Sequence, residues 1–224
     1  MRLRLLGAAL MALIGAEARA QPVPDGFVDA TAVVPGLVVD LRYASDNNFV
    51  GRPIPGYEAP RCLLTRPATG ALAAVQAELA GHQLGLKIFD CYRPARAVAQ
   101  FVRWARDPND IGRKQAFYPE IDKRDLLRLG YISSRSRHSG GSTVDLSLVD
   151  QASGRELDMG TPFDYFGPAS AYAAAGLTPV QRANRARLRS VMLRHGFVPI
   201  AKEWWHFTLR SEPFPTTSFD FSAR

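Results

Sequence analysis

The chain contains only four histidines, and two of them stand where chemistry could be done. His138 lies in SRHSGGSTVD (136–145), among small residues that let a backbone turn sharply and approach a ligand closely. Asp145 follows on the polar face of an alternating stretch, against Val144 and Leu146. His206 lies in EWWHF (203–207), where Trp205 and Phe207 would shield an imidazole from water. Two imidazoles and one carboxylate make a common catalytic zinc set, with the fourth position left for water. Glu203 could then take a proton from a water whose pKa zinc lowers to about 7, and pass it to a leaving amine. Taken singly, each of the four also suits a structural polar role, and an arginine could partner Asp145 as well as a metal could. Glu203 and His206 are three apart, and residues at an odd offset on a regular strand face opposite ways. Bringing both to one site therefore predicts a turn or bulge at residues 203–205.

Arg93 adds a cation. It ends the apolar stretch in DCYRP (90–94), where a fixed guanidinium could stabilise a developing oxyanion. A structural ion pair with Asp90 is the alternative. His82 and His195 sit near the ends of helical patterns, where an imidazole suits the helix dipole, and are not expected to be ligands.

The elements that must position these residues follow from periodicity. LVVDLRY (37–43), LKIFDCY (86–92), STVDLSLVD (142–150), 197–200 and 205–209 read as strands. Residues 67–82 place Leu72, Val75 and Leu79 on one helical face, and 95–106 do the same for Val98, Phe101 and Val102. Thr178-Pro179-Val180-Gln181 is a capping box with proline at the first helical position, opening a helix to about His195 that stops at Gly196. The segment 45–60, dense in Asn, Gly and Pro, reads as a long loop. Strands and helices mix without a βαβ rhythm. This favours one α+β domain with a mostly antiparallel central sheet and packed helices.

Residues 1–20 do not belong to that domain. Arg2 and Arg4, an apolar run from Leu5 to about Gly15, and Ala18-Arg19-Ala20 read as a cleaved export signal, with the domain spanning 21–224. No stretch is long enough for stable membrane insertion. Without residues 1–20 the chain keeps 25 basic and 20 acidic residues, a net charge of +5, and the basic residues are scattered apart from RANRARLR (182–189), whose helical spacing reads as a solvated helix face and not as a nucleic-acid signal. There is no GxGxxG, P-loop or GxSxG motif to support a dinucleotide, nucleotide or serine-hydrolase site. Export to an oxidising compartment allows a disulfide between the two cysteines, Cys62 and Cys91; two buried thiols are the alternative.

In order along the chain, DLRYASDNNFVGRPIPGYE, DCYRP, SRHSGGSTVD, MGTPFDYF, EWWHF and SEPFPTTSFDF resemble the motifs of the D-alanyl-D-alanine dipeptidases of the VanX type, within the zinc D-Ala-D-Ala peptidases. The resemblance runs from about Leu41 to Phe221. It implies a compact α+β fold with a narrow buried site and one Zn2+ per chain held by His138, Asp145 and His206. It implies Glu203 as general base and Arg93 as the group that steadies the tetrahedral intermediate. Asp164 would meet the free amine of a D-amino-acid dipeptide. Ser136, Arg137, Tyr43 and Asp90 would line the pocket or hold Arg93. Arg137 departs from the small residue expected beside the histidine, which bears on substrate detail. Trimming of peptidoglycan stem peptides by a carboxypeptidase or endopeptidase, and a non-catalytic wall-binding module, are the rival readings. Export places the expected home in the periplasm, with a role in cell-wall turnover.

Overall fold

The computed structural model describes residues 22–224; the segment 1–20, read as an export signal, lies outside the described residues. The chain runs β1 (Phe27–Asp29), α1 (Ala30–Val33), β2 (Val38–Val39), β3 (Leu63–Thr65), α2 (Arg66–Ala80), β4 (Leu84–Asp90), α3 (Ala95–Arg106), α4 (Lys114–Phe117), β5 (Thr143–Asp150), α5 (Pro179–Arg194), β6 (Phe197–Ile200) and β7 (Glu203–Leu209). The central sheet has the order β2-β4-β5-β7-β6, and β1 pairs with β3 in a separate two-stranded sheet. Only β2 runs parallel to its neighbour; the other central pairings are antiparallel. This is the α+β domain with a mostly antiparallel sheet that the pattern implied. Among the described residues, no helix is long and apolar enough to cross a membrane.

Local chemistry explains the elements. In α2, Leu72, Val75 and Leu79 are buried on one face, and the Gln76 side chain accepts from the Leu86 backbone beyond the end of short β2. The α5 capping box is formed: Thr178 Oγ1 accepts from Gln181 N at 3.2 Å and Gln181 Oε1 accepts from Thr178 N at 2.9 Å. That helix buries Leu188, Val191 and Met192 and ends before Gly196, whose φ of +85° suits glycine.

One expectation is corrected. Residues 37–43 do not form one strand: only Val38–Val39 pair, and Arg42–Ala44 make a 3-10 turn. Buried Asn48 draws the chain aside there, its amide donating to the carbonyls of Arg42, Ser45 and Arg52. Turn chemistry thus overrides alternation. On β5 both faces are enclosed, since Asp145 and Ser147 of the polar face are as buried as Val144, Leu146 and Leu148.

Two irregularities in the sheet shape the site. Between β4 and β5 the register steps from Ile88↔Leu146 to Asp90↔Asp145, leaving Phe89 as an extra residue. Between β6 and β7 it jumps from Pro199↔Phe207 to Ile200↔Glu203, which leaves Trp204, Trp205 and His206 as a bulge in β7. Phe89 stacks on Phe163 at 4.7 Å between centroids, and Phe163 meets Trp205 edge-on at 5.4 Å. The irregular positions thereby anchor the segment carrying Asp164. Arg185 holds the same segment from behind, donating to the carbonyls of Met159, Ala169 and Ala171. The Arg185 side chain is buried and satisfies three backbone acceptors. Arg185→Met should cost about 3 kcal/mol or more by leaving them unpaired. Urea denaturation of the two proteins measures this; a loss under 1 kcal/mol would contradict it.

Candidate active site

The register of the central sheet sets Asp90 of β4 beside Asp145 of β5, and Asp145 beside His206 of β7. His138 reaches this row from the 3-10 turn Arg137–Gly140, whose N-cap, Ser136, accepts from His138 N. The two glycines after it serve packing. A Cβ on Gly140 would lie 2.8 Å from the Phe214 carbonyl, and one on Gly141 would lie 2.1 Å from the Phe27 ring. Gly141 also turns the chain at φ +77°. The sharp turn expected of this stretch is present, but the close approach is to the protein's own aromatic cluster.

Four side-chain atoms of three residues converge. His138 Nε2 lies 3.3 Å from His206 Nδ1 and 3.2 Å from Asp145 Oδ2, and His206 Nδ1 lies 3.0 Å from Asp145 Oδ1. Among the described residues, His138, Asp145 and His206 form the group able to hold a metal ion. Zinc–ligand bonds of about 2.0–2.1 Å in a tetrahedron imply ligand separations of about 3.3–3.4 Å. The three measured separations, two of them to different oxygens of Asp145, come near that spacing. The tautomer fits as well: His138 Nδ1 lies 2.7 Å from the Cys91 carbonyl, which can only accept, so Nε2 is left with its lone pair toward the triangle.

Around the triangle, Glu203 Oε2 lies 3.7 Å from His206 Nδ1, the bulge having turned both side chains to one side. Arg93 is clamped. Its Nε and Nη2 hold Asp90 Oδ2 at 2.9 and 2.8 Å, and its guanidinium lies over the rings of Tyr43 and Phe101. The ion pair with Asp90 and a role toward substrate are therefore compatible, because Nη2 still reaches to 3.5 Å from Asp145 and Nη1 to 3.5 Å from Ser136. Asp164 sits at φ +61°, a strained region for a non-glycine residue, and accepts from the Tyr43 hydroxyl at 2.8 Å. Arg137 lines the mouth and pairs with Glu212, which is itself almost fully buried. Of these, Tyr43, Arg93, Ser136, Arg137, Asp164, Glu203 and the three converging residues face one cavity of about 230 Å³, whose apolar walls include Phe49, Phe101, Phe166 and Trp205. His195 lies elsewhere, 2.8 Å from Glu78 in a surface ion pair, and His82 is exposed at the end of α2.

Several partners carried no signal of their own in the sequence. Tyr57 donates to Asp90 Oδ1 at 2.7 Å from within the long loop, where no periodicity marks it. Glu212 and the Cys91 carbonyl were equally silent. Cys62 and Cys91 are joined in a buried disulfide.

Electrostatics separate the acids. Burial and then the Asp145 charge push the Asp164 carboxyl well above the usual range. Asp145 goes the other way: burial alone would raise it, but His138 and His206 hold it far below the usual carboxylate value.

The family profile described as D-ala-D-ala dipeptidase, Peptidase_M15, matches residues 24–224. The chain belongs to this family. Curated relatives carry the same description across nearly their whole length. The D-alanyl-D-alanine dipeptidase of Enterococcus faecium is 39% identical over 199 residues, covering 89% of this chain and 98% of the relative. That of Streptomyces coelicolor is 41% identical over 195 residues, covering 87% and 96%. The Escherichia coli relative is 34% identical over 200 residues, covering 88% and 92%. Membership of a peptidase family accords with a buried carboxylate, Glu203, poised beside a potential metal centre.

Glu203 yields a prediction about stability. Burial pushes its carboxyl up from 4.5 to about 6, an effect that the His206 charge only partly opposes and Asp145 reinforces. The folded protein thus holds this proton more tightly than the unfolded chain does. The contribution is full below about pH 4.5 and is lost as pH rises through about 6, where the buried charge costs about 2 kcal/mol. In chelator-treated protein, Glu203→Gln should therefore gain about 2 kcal/mol on the wild type at pH 8 relative to pH 4. Urea unfolding at the two pH values reads this; an effect independent of pH would contradict it.

Proposed function

We propose that this chain is a zinc-dependent dipeptidase that hydrolyses D-Ala-D-Ala to two molecules of D-alanine. The observation that carries the reading is the convergence of His138 Nε2, both carboxylate oxygens of Asp145 and His206 Nδ1, at separations of 3.0–3.3 Å, beside the Glu203 carboxylate. Family membership and the names of the relatives support the substrate.

His138, Asp145 and His206 would hold the ion, one per chain. Zinc so bound supplies Lewis acidity and brings the pKa of a water to about 7. Glu203, with a pKa near 6, is suited to accept the proton of the attacking water near neutral pH and to return it to the nitrogen of the leaving D-alanine. Arg93 is held by Asp90 and two aromatic rings, so its guanidinium meets the developing oxyanion with little reorganisation. Asp164 takes the free amine. Its carboxyl is buried and pushed up, so an incoming ammonium is the partner that favours its ionised form. An acylated amine brings no charge and leaves that acid unpaired, which discriminates against longer peptides. Tyr43 orients Asp164, and Ser136 and Arg137 border the mouth, where the substrate carboxylate would lie. A cavity of about 230 Å³ suits a dipeptide better than a stem peptide.

Residues 1–20 and a buried disulfide both support export, to the periplasm where the source has an outer membrane. There the reaction would recover D-alanine from wall fragments.

Release of D-alanine from D-Ala-D-Ala should fall by at least about 10³-fold in Glu203→Ala, with the zinc content unchanged. Wild-type kcat/KM should fall at acid pH as Glu203 takes up a proton, and N-acetyl-D-Ala-D-Ala should react at least about 100-fold more slowly than the free dipeptide. Equal rates on the two substrates would contradict the role of Asp164 and favour stem-peptide trimming. No turnover on either, with zinc bound, would favour a wall-binding module.

A further inference from the structure

We infer that the Cys62–Cys91 disulfide is a positioning device for His138 that sets the affinity of the site for its metal. The inference rests on the zinc reading above.

The bridge lies at a junction. Cys62 immediately precedes β3 in the small sheet, and Cys91 immediately follows β4 in the central sheet. Both residues are buried, at 0% and 1% exposure, so the bond acts inside the protein and not at its surface. Cys91 is also the residue whose carbonyl oxygen lies 2.7 Å from His138 Nδ1.

The peptide unit between Cys91 and Tyr92 is gripped at both ends. Its carbonyl accepts from His138, and its N–H donates to the Leu63 carbonyl at 3.0 Å. A peptide unit is planar, so its carbonyl and N–H turn together about the line joining the two Cα atoms. Leu63 is the neighbour of Cys62. The disulfide and the Tyr92-to-Leu63 hydrogen bond thus close a small ring that fixes the tilt of this plane. The tilt aims the carbonyl at Nδ1, selects the tautomer and leaves Nε2 to face Asp145 and His206.

The same strand steadies the other side of His138. Thr65 N of β3 donates to the Gly141 carbonyl at 2.7 Å, and Thr65 Oγ1 lies 2.7 Å from Ser142 Oγ. Arg93 N donates to the His138 carbonyl at 3.3 Å. The histidine turn is suspended between β3 and the end of β4, and the disulfide is the covalent bond that locks those two supports together. Opening the bridge frees the peptide plane to rotate and the supports to separate, while the three candidate ligands stay in the chain. The site therefore gains its full affinity only where the bridge can form, in an oxidising compartment.

The test compares zinc dissociation constants, by chelator competition without thiol reductants, for the wild type and for Cys62→Ser with Cys91→Ser. The temperature is set where circular dichroism shows both folded. Cys62→Ala with Cys91→Val, which refills the buried space with apolar atoms, is the second variant. Loss of a partner that orients a ligating histidine typically weakens metal binding about 10–100-fold, and that range is expected here. Removing the bridge in a His138→Ala background should change the constant by less than about twofold, because the effect passes through that imidazole. A folded bridge-less protein that binds zinc within about twofold of the wild type would overturn the inference, as would an equal loss in the His138→Ala background. Wild-type protein that binds no zinc in this assay would instead refute the metal reading on which the inference rests.

Discussion

A carboxylate buried in the middle of a sheet is tolerable only if positive charge is delivered to it. Asp145 is that carboxylate, 2% exposed, with a second buried acid, Asp90, beside it on the neighbouring strand. Asp164 and Glu203 face the same cavity. The buried guanidinium among these carboxyl groups is that of Arg93, paired with Asp90 and 3.5 Å from Asp145. Burial raises the carboxyls of Asp164 and Glu203, and the Asp145 charge adds to it. A dication on the His138–Asp145–His206 triangle and an ammonium at Asp164 would bring the cluster close to neutrality. Charge balance and the proposed chemistry therefore ask for the same two guests.

Much of the fold exists to keep this arrangement rigid. The bulge in β7 turns Glu203 and His206 to one side. The extra residue in β4, Phe89, stacks on Phe163 and so ties the Asp164 segment to the sheet. Arg185 secures that segment through backbone carbonyls, and Tyr57 and the Tyr43 ring hold Asp90 and Arg93 in turn. Strain at Asp164 and the buried charge at Glu203 both work against stability and are tolerated where they serve the site.

The residues that could do chemistry were legible because their types are costly to bury and their motifs stand at fixed spacing. Even the irregularity at 203–206 followed from a parity argument, since two groups three apart on a strand cannot share a face without one. Longer helices were legible from periodicity and from the Thr178–Gln181 capping box. What escaped was set by contacts distant in sequence. The strand expected at 37–43 yielded to the hydrogen bonds of Asn48. Tyr57, Glu212 and the Cys91 carbonyl act only through partners that the fold brings to them.

The most direct test of the metal centre is X-ray absorption at the zinc edge of the zinc-loaded protein, with metal stoichiometry measured on the same sample. One zinc per chain, with two imidazoles and only nitrogen or oxygen donors at about 2.0–2.1 Å, is the predicted result. A sulfur shell near 2.3 Å, or a spectrum without imidazole scattering, would contradict the assignment of His138, Asp145 and His206.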